Sequence, residues 1–111
     1  MTREEFIGRL GAADHRFADT LDFIDSHYRY TPSAFDNGTL HNGEAENQGS
    51  CKVLAMAIDS GLSDQQALQC FAEHYQAVLG DPGGSAHGNI RQLMHHGLAA
   101  VRFHTFPLTR R

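Results

Sequence analysis

The sequence predicts a mainly α-helical fold of about five helices packed around one buried central helix, residues 50–60, with room for a small two-stranded β element. Three observations carry that prediction. The run Cys51-Lys-Val-Leu-Ala-Met-Ala-Ile58 is apolar around nearly its whole circumference when wound as a helix, and such a helix belongs inside. Thr2 with Glu5 and Ser63 with Gln66 are capping-box pairs, each opening an amphipathic segment. Period-two alternation is confined to the tail, where Val101, Phe103 and Thr105 alternate with Arg102, His104 and Phe106.

The elements follow in order. Behind the Thr2 cap, Phe6, Ile7 and Leu10 fall at helical spacing until Gly11 breaks the segment. A second helix begins near Ala13 or Asp14, with Phe17, Leu21 and Ile24 on one stripe. Pro32 ends helical order by Thr31, because the residue before a proline avoids the helical region. From Pro32 to Gly49 the chain reads as loop with one hairpin signal, Asn37-Gly38 between two short apolar flanks. Asn42-Gly43 marks another turn. The third helix starts between Asn47 and Ser50, both good caps, and stops at Gly61. A fourth runs from Ser63 to Gly80, carrying Leu68, Phe71, Tyr75 and Val78 on its stripe. Residues 80–88, GDPGGSAHG, form a glycine-rich loop before a fifth helix from Asn89 to His96. The tail supports one terminal strand, for which Thr39–His41 is a candidate partner.

Composition narrows the function classes. At 111 residues, 41% of them hydrophobic, the chain is expected to be one globular domain, residues 1–111. A net charge of −4 with scattered Lys and Arg argues against a nucleic-acid footprint, which needs a concentrated basic face. No apolar run reaches membrane-spanning length. The first 13 residues carry no apolar signal core, so the expected location is cytoplasmic. Two cysteines make no disulfide framework and read as reduced thiols. The eight histidines lack metal-site spacing, and no metal or cofactor is expected. The expected oligomeric state is a monomer or weak dimer.

Candidate chemistry gathers where loops meet helix starts. Gln48-Gly49-Ser50-Cys51 resembles the way papain-like thiol hydrolases place a nucleophile at a helix start, where the dipole favours thiolate. His74 and His87 are the candidate proton acceptors. This reading makes Cys51, His74 and His87 a catalytic set. Against it, Cys51 opens the apolar face of a helix expected to be buried, and burial opposes ionisation. Lys52 either snorkels to solvent or pairs with Glu44, Glu46 or Glu73. Around the fifth helix start, His87, Asn89 and Arg91 could take a phosphate or carboxylate. The binding set is Asn47, Ser50, Lys52, Asn89 and Arg91. A weaker alternative uses His41, Glu46, His87 and Arg91 in a metal-dependent or phosphoester-binding enzyme.

In combination, TPSAFDNG (31–38), HNGEAENQGSCK (41–52), LGDPGGSAHGNIR (79–91) and LMHHG (93–97) resemble the HopJ type III effector family, from about Phe6 to the end. The resemblance implies a small, mainly helical protein grouped with effectors that bacteria inject into host cells, and supplies no catalytic mechanism. Type III export signals are typically disordered and serine-rich, whereas residues 2–10 read as a capped helix. The leading expectation is therefore a protein that binds a host or cytosolic partner or a small ligand through the 41–52 and 80–91 loops. It is cytoplasmic, with type III secretion as the alternative destination. The competing class is a small hydrolase or transferase using Cys51.

Overall fold

The computed structural model describes residues 1–111. The apolar segment forms α3 (Gln48–Asp59), in which Cys51 and Val53 to Ala57 are all buried. Around it lie α1 (Arg3–Arg9), α2 (Phe17–His27), α4 (Asp64–Cys70), α5 (Glu73–Leu79) and α6 (Gly88–His96). Five short strands complete the fold: β1 (Tyr28–Tyr30), β2 (Phe35–Asn37), β3 (Leu40–Asn42), β4 (Val101–Phe103) and β5 (Leu108–Arg110). A 3-10 turn, Leu98–Ala100, leads into β4. One cluster of 21 buried apolar residues takes members from every helix and from β1, β2, β4 and β5.

Both capping boxes form, with Thr2 accepting from the Glu5 N–H and Ser63 from the Gln66 N–H. The second helix starts later than its hydrophobic stripe suggests, at Phe17. There the Glu73 carboxylate takes the Phe17 N–H at 2.7 Å and the Asp19 carboxylate takes the Arg16 N–H at 3.0 Å. A cap supplied from 56 residues away leaves no local signal.

The mainly α expectation needs correction: six helices share the molecule with two small antiparallel sheets, a mixed α/β architecture. One sheet has strand order β3-β2-β4 and the other pairs β1 with β5. The hairpin forms one residue later than the Asn37-Gly38 turn the sequence predicts: Asn37 belongs to β2 opposite Leu40, and the turn is made by Gly38 and Thr39. Gly38 supplies the positive φ (59°) that opens such a turn. The tail strand pairs with β2, setting Phe35 opposite Phe103, and not with Thr39–His41. Tyr28–Tyr30, which the sequence places in the helix, is a strand because Leu108–Arg110 offers it a partner.

The expected fourth helix is broken. Ala72 adopts φ 50°, ψ −120°, a conformation strained for a residue with a Cβ, and divides α4 from α5. The break turns His74 toward one cavity and Ala72, Glu73, Tyr75 and Gln76 toward another. No Gly or Pro marks the place.

Candidate functional site

Two helices begin at one cavity of about 310 Å³. Residue Asn47 leads into α3 and His87 into α6, both left-handed at φ 50° and 57°. Neither side chain caps its own helix. The backbone N–H groups of Gly49, Ser50, Gly88 and Asn89, all on residues that line the cavity, donate to no protein group. Each helix start thus retains its orphan donors and the positive end of its dipole.

Side chains add to this polarity. His74 from α5 and His87 stand with ring centroids 5.0 Å apart. The edge-on ring of Phe17, 4.8 Å from His74, backs the pair, and Phe17 in turn stacks on Phe71 at 6.0 Å. Close approach is built in at Gly49 and Gly88, where an added Cβ would lie 3.3 Å from the Phe17 ring and 3.2 Å from Leu40.

A buried amide network fixes the two helix starts relative to each other. The Asn47 amide donates to Asn42 Oδ1 at 2.7 Å, and Asn89 Nδ2 donates to the same oxygen at 2.9 Å. Asn42 Nδ2 returns a bond to Asn89 Oδ1 at 3.2 Å. Asn37 Nδ2 donates to the Asn89 carbonyl at 2.9 Å and to its side-chain oxygen at 3.1 Å. Asn37, Asn42 and Asn89 are all buried, so losing any one strands polar atoms. Asn37 and Asn42 are the positioning residues that the sequence hides. Each precedes a glycine and reads simply as a turn residue, although two Asn-Gly pairs so close together were an available signal.

The structure brings Asn47, Ser50, His74, His87 and Asn89 to this cavity and leaves Cys51, Lys52 and Arg91 outside it. Cys51 is 1% exposed. Its thiol points at the Ser33 carbonyl, 3.8 Å away, and burial pushes its pKa up. The catalytic set Cys51, His74 and His87 is therefore not assembled: one helical step separates Ser50, on the cavity, from Cys51, in the core. Lys52 pairs with Asp25 at 3.2 Å and lies 5.0 Å from the centre of the Tyr30 ring, so none of Glu44, Glu46 or Glu73 is its partner. Arg91 donates to the carbonyls of Ala86 (2.7 Å) and Pro82 (3.3 Å), which makes it the organiser of the glycine-rich loop. His41 is engaged by Asp36 at 2.7 Å, and Glu46 accepts from the Gly43 N–H at 2.8 Å. No three His, Cys, Asp or Glu side chains are grouped to hold a metal ion.

Residues 3–108 match the family model described as HopJ type III effector protein. This chain belongs to the HopJ family. A solved relative, titled "Crystal structure of unknown function protein VPA0580", is 34% identical and superposes with a TM-score of 0.93. The similarity covers 100% of this chain and 95% of that one. No curated protein matches. No helix is long and apolar enough to cross a membrane.

Proposed function

We propose that this HopJ protein acts by binding, and that the cavity at the starts of α3 and α6 receives an anionic group, carboxylate or phosphate, of a small ligand or protein partner. The observation that supports this most is the convergence of two uncapped helix starts on the His74–His87 pair. Unpaired N–H groups at a helix start favour an anion, and each imidazole can donate a ring N–H to it. Asn47, Ser50 and Asn89 supply further polar contacts. Nothing in the site favours the Cys51 hydrolase, whose nucleophile would face away from both histidines.

Titrating inorganic phosphate and acetate into ¹⁵N-labelled protein tests the reading. The amides of Gly49, Ser50, Gly88 and Asn89 should shift together. The response should weaken in His74→Ala and His87→Ala. Shifts elsewhere, or a response indifferent to both histidines, would sink it.

For the family's export route, we infer that a folded α1 holds the chain in the cytoplasm. Its capping box and buried Phe6 support this. A reporter fused to residues 1–30 decides the point: efficient type III–dependent secretion would overturn the cytoplasmic reading.

A further inference from the structure

The β2–β3 hairpin carries two Asn-Gly pairs, Asn37-Gly38 and Asn42-Gly43, and one buried side chain holds both asparagines. In Asn-Gly the backbone nitrogen attacks the preceding side chain most easily, because glycine sets no Cβ in the way. The glycine nitrogen gives its proton to a solvent base and bonds to the asparagine Cγ. The Cγ–Nδ2 bond breaks, and Nδ2 leaves as ammonia with a proton from water. Water then opens the cyclic imide at either carbonyl, giving aspartate or isoaspartate. The net change is one water consumed and one ammonia released.

The fold restrains every group in that step. Asn37 and Asn42 are 0% and 1% exposed, which keeps water from them. The Gly38 N–H is held by the Ala100 carbonyl at 3.2 Å and the Gly43 N–H by Glu46 Oε1 at 2.8 Å. Neither side chain swings onto its glycine nitrogen without leaving Asn89. Asn37 Nδ2 donates to the Asn89 carbonyl at 2.9 Å and to Asn89 Oδ1 at 3.1 Å. The Asn42 and Asn89 amides exchange bonds at 2.9 and 3.2 Å. Asn47 adds a bond of 2.7 Å to Asn42 alone. Asn89 lies in the first turn of α6, so opening at that helix start frees both pairs together. The lock is incompletely satisfied, since Asn37 Oδ1 is buried without a donor, and this lowers the cost of opening.

The product does not fit back. Each Nδ2 is a donor whose partners are all acceptors: the Asn89 oxygens for Asn37, and Asn89 Oδ1 with the Phe35 and Leu40 carbonyls for Asn42. A carboxylate at either position sets a buried charged oxygen against those oxygens. We propose that Asn37 and Asn42 are deamidation sites gated by Asn89, and that converting either one keeps the start of α6 from closing and so releases the other. The hairpin is thereby a one-way switch, intact while α6 is docked and retired once it opens. This inference stands on the amide network alone and does not depend on what the cavity binds.

Incubation in H₂¹⁸O at pH 7.5 with peptide mapping by mass spectrometry tests it, since only conversions made during the incubation carry the heavy oxygen. In the folded parent, both sites should convert about tenfold or more slower than in urea, because reaction waits on opening. Asn89→Ala, checked for folding by its melt, should quicken both sites in native buffer by about tenfold or more. Asn47→Gly tolerates the left-handed backbone at that position and removes a bond from Asn42 alone. It should quicken Asn42 and leave Asn37 slow, and it carries the test if Asn89→Ala does not fold. Asn37→Asp, a mimic of the product, should quicken Asn42. Asp59→Ala, at the far end of α3, should leave both sites at the parent rate. The proposal is overturned by equal rates in the folded and urea-treated parent, or by a folded Asn89→Ala that converts at the parent rate. It is equally overturned if Asn47→Gly acts at both sites or neither, if Asn37→Asp leaves Asn42 unchanged, or if Asp59→Ala matches the network variants.

Discussion

Cys51 and Ser50 differ by 100° around α3, and that rotation decides their chemistry. Ser50 faces the cavity at the starts of α3 and α6, whereas Cys51 sits among core residues with its thiol on a carbonyl. The dipole at the helix start favours thiolate, but burial opposes it and wins. Cys70 carries no such conflict, and burial alone pushes it up to about 12. Iodoacetamide labelling followed by mass spectrometry should therefore be slow at both cysteines in the folded protein, and accelerate at both on adding urea. Rapid native labelling of Cys51 with a midpoint below pH 7 would contradict this placement. His15 gives a pH prediction of definite sign. Burial lowers its pKa and nearby Arg9 does the same, against the opposing fields of Asp19, Glu73 and Asp14. The folded state thus resists protonation that the unfolded chain accepts below its ordinary 6.5. Stability from neutral His15 is present above that value and is lost as pH falls below it toward the depressed folded value. Urea midpoints measured between pH 7.5 and 5.5 should fall more steeply for the parent than for His15→Gln, which does not titrate. Parallel slopes would show that His15 does not control this window. The sequence made Asn47, Ser50 and Asn89 legible because caps and binding donors share one pattern. It hid His15, whose importance rests on Thr20 and Cys70, the latter far along the chain.

Legibility at the scale of elements tracks how local the cause is. Both capping boxes and the apolar helix are written in adjacent residues, and the sequence places them within a residue or two. Three-residue strands are too short for alternation to show, and β1 exists because β5 arrives from 80 positions later to pair with it. The α4–α5 break is the opposite case, since an uninterrupted hydrophobic stripe conceals a backbone reversal at Ala72. Its φ and ψ favour glycine, so the wild-type residue holds strain that tertiary contacts maintain. Ala72→Gly should relieve more strain than it costs in chain entropy, raising stability by about 1 kcal/mol. The melting temperature would then rise by roughly 4 °C or more, the shift a domain of this size shows per kcal/mol. A lower melting temperature would mean that Ala72 is comfortable there. The same variant should leave His74 and Glu73 on their separate cavities, because the turn is retained.

At the scale of the molecule, the two ends of the chain meet at one carboxylate. Asp59 ends α3, where the dipole disfavours an anion, yet cations and hydroxyls gather on it. Tyr28 donates to Asp59 Oδ2 at 2.6 Å and Arg110 donates to the same oxygen at 2.8 Å. Arg3 reaches the Tyr28 hydroxyl at 2.7 Å and Ser60 at 3.0 Å. Helix α1, strand β1, the end of α3 and strand β5 are thus closed by a single network. Burial raises the Asp59 pKa, but the bonds from Tyr28 and Arg110 outweigh it and hold the carboxyl below 3.8. Its contribution to stability is therefore present above that value and lost as pH falls through the lower folded value. Asp59→Ala removes the shared acceptor and leaves the hydroxyl of a 2%-exposed tyrosine without it, at a cost of about 1–3 kcal/mol. If the network is one cooperative clasp, hydrogen exchange in this variant should quicken together at residues 5–9, 28–30 and 108–110, while the α6 amides near the cavity shared with α3 keep their protection. Faster exchange confined to β5 would show that Arg110 alone depends on Asp59, and that α1 is held by Phe6 stacked on Phe23 at 4.2 Å rather than by the clasp.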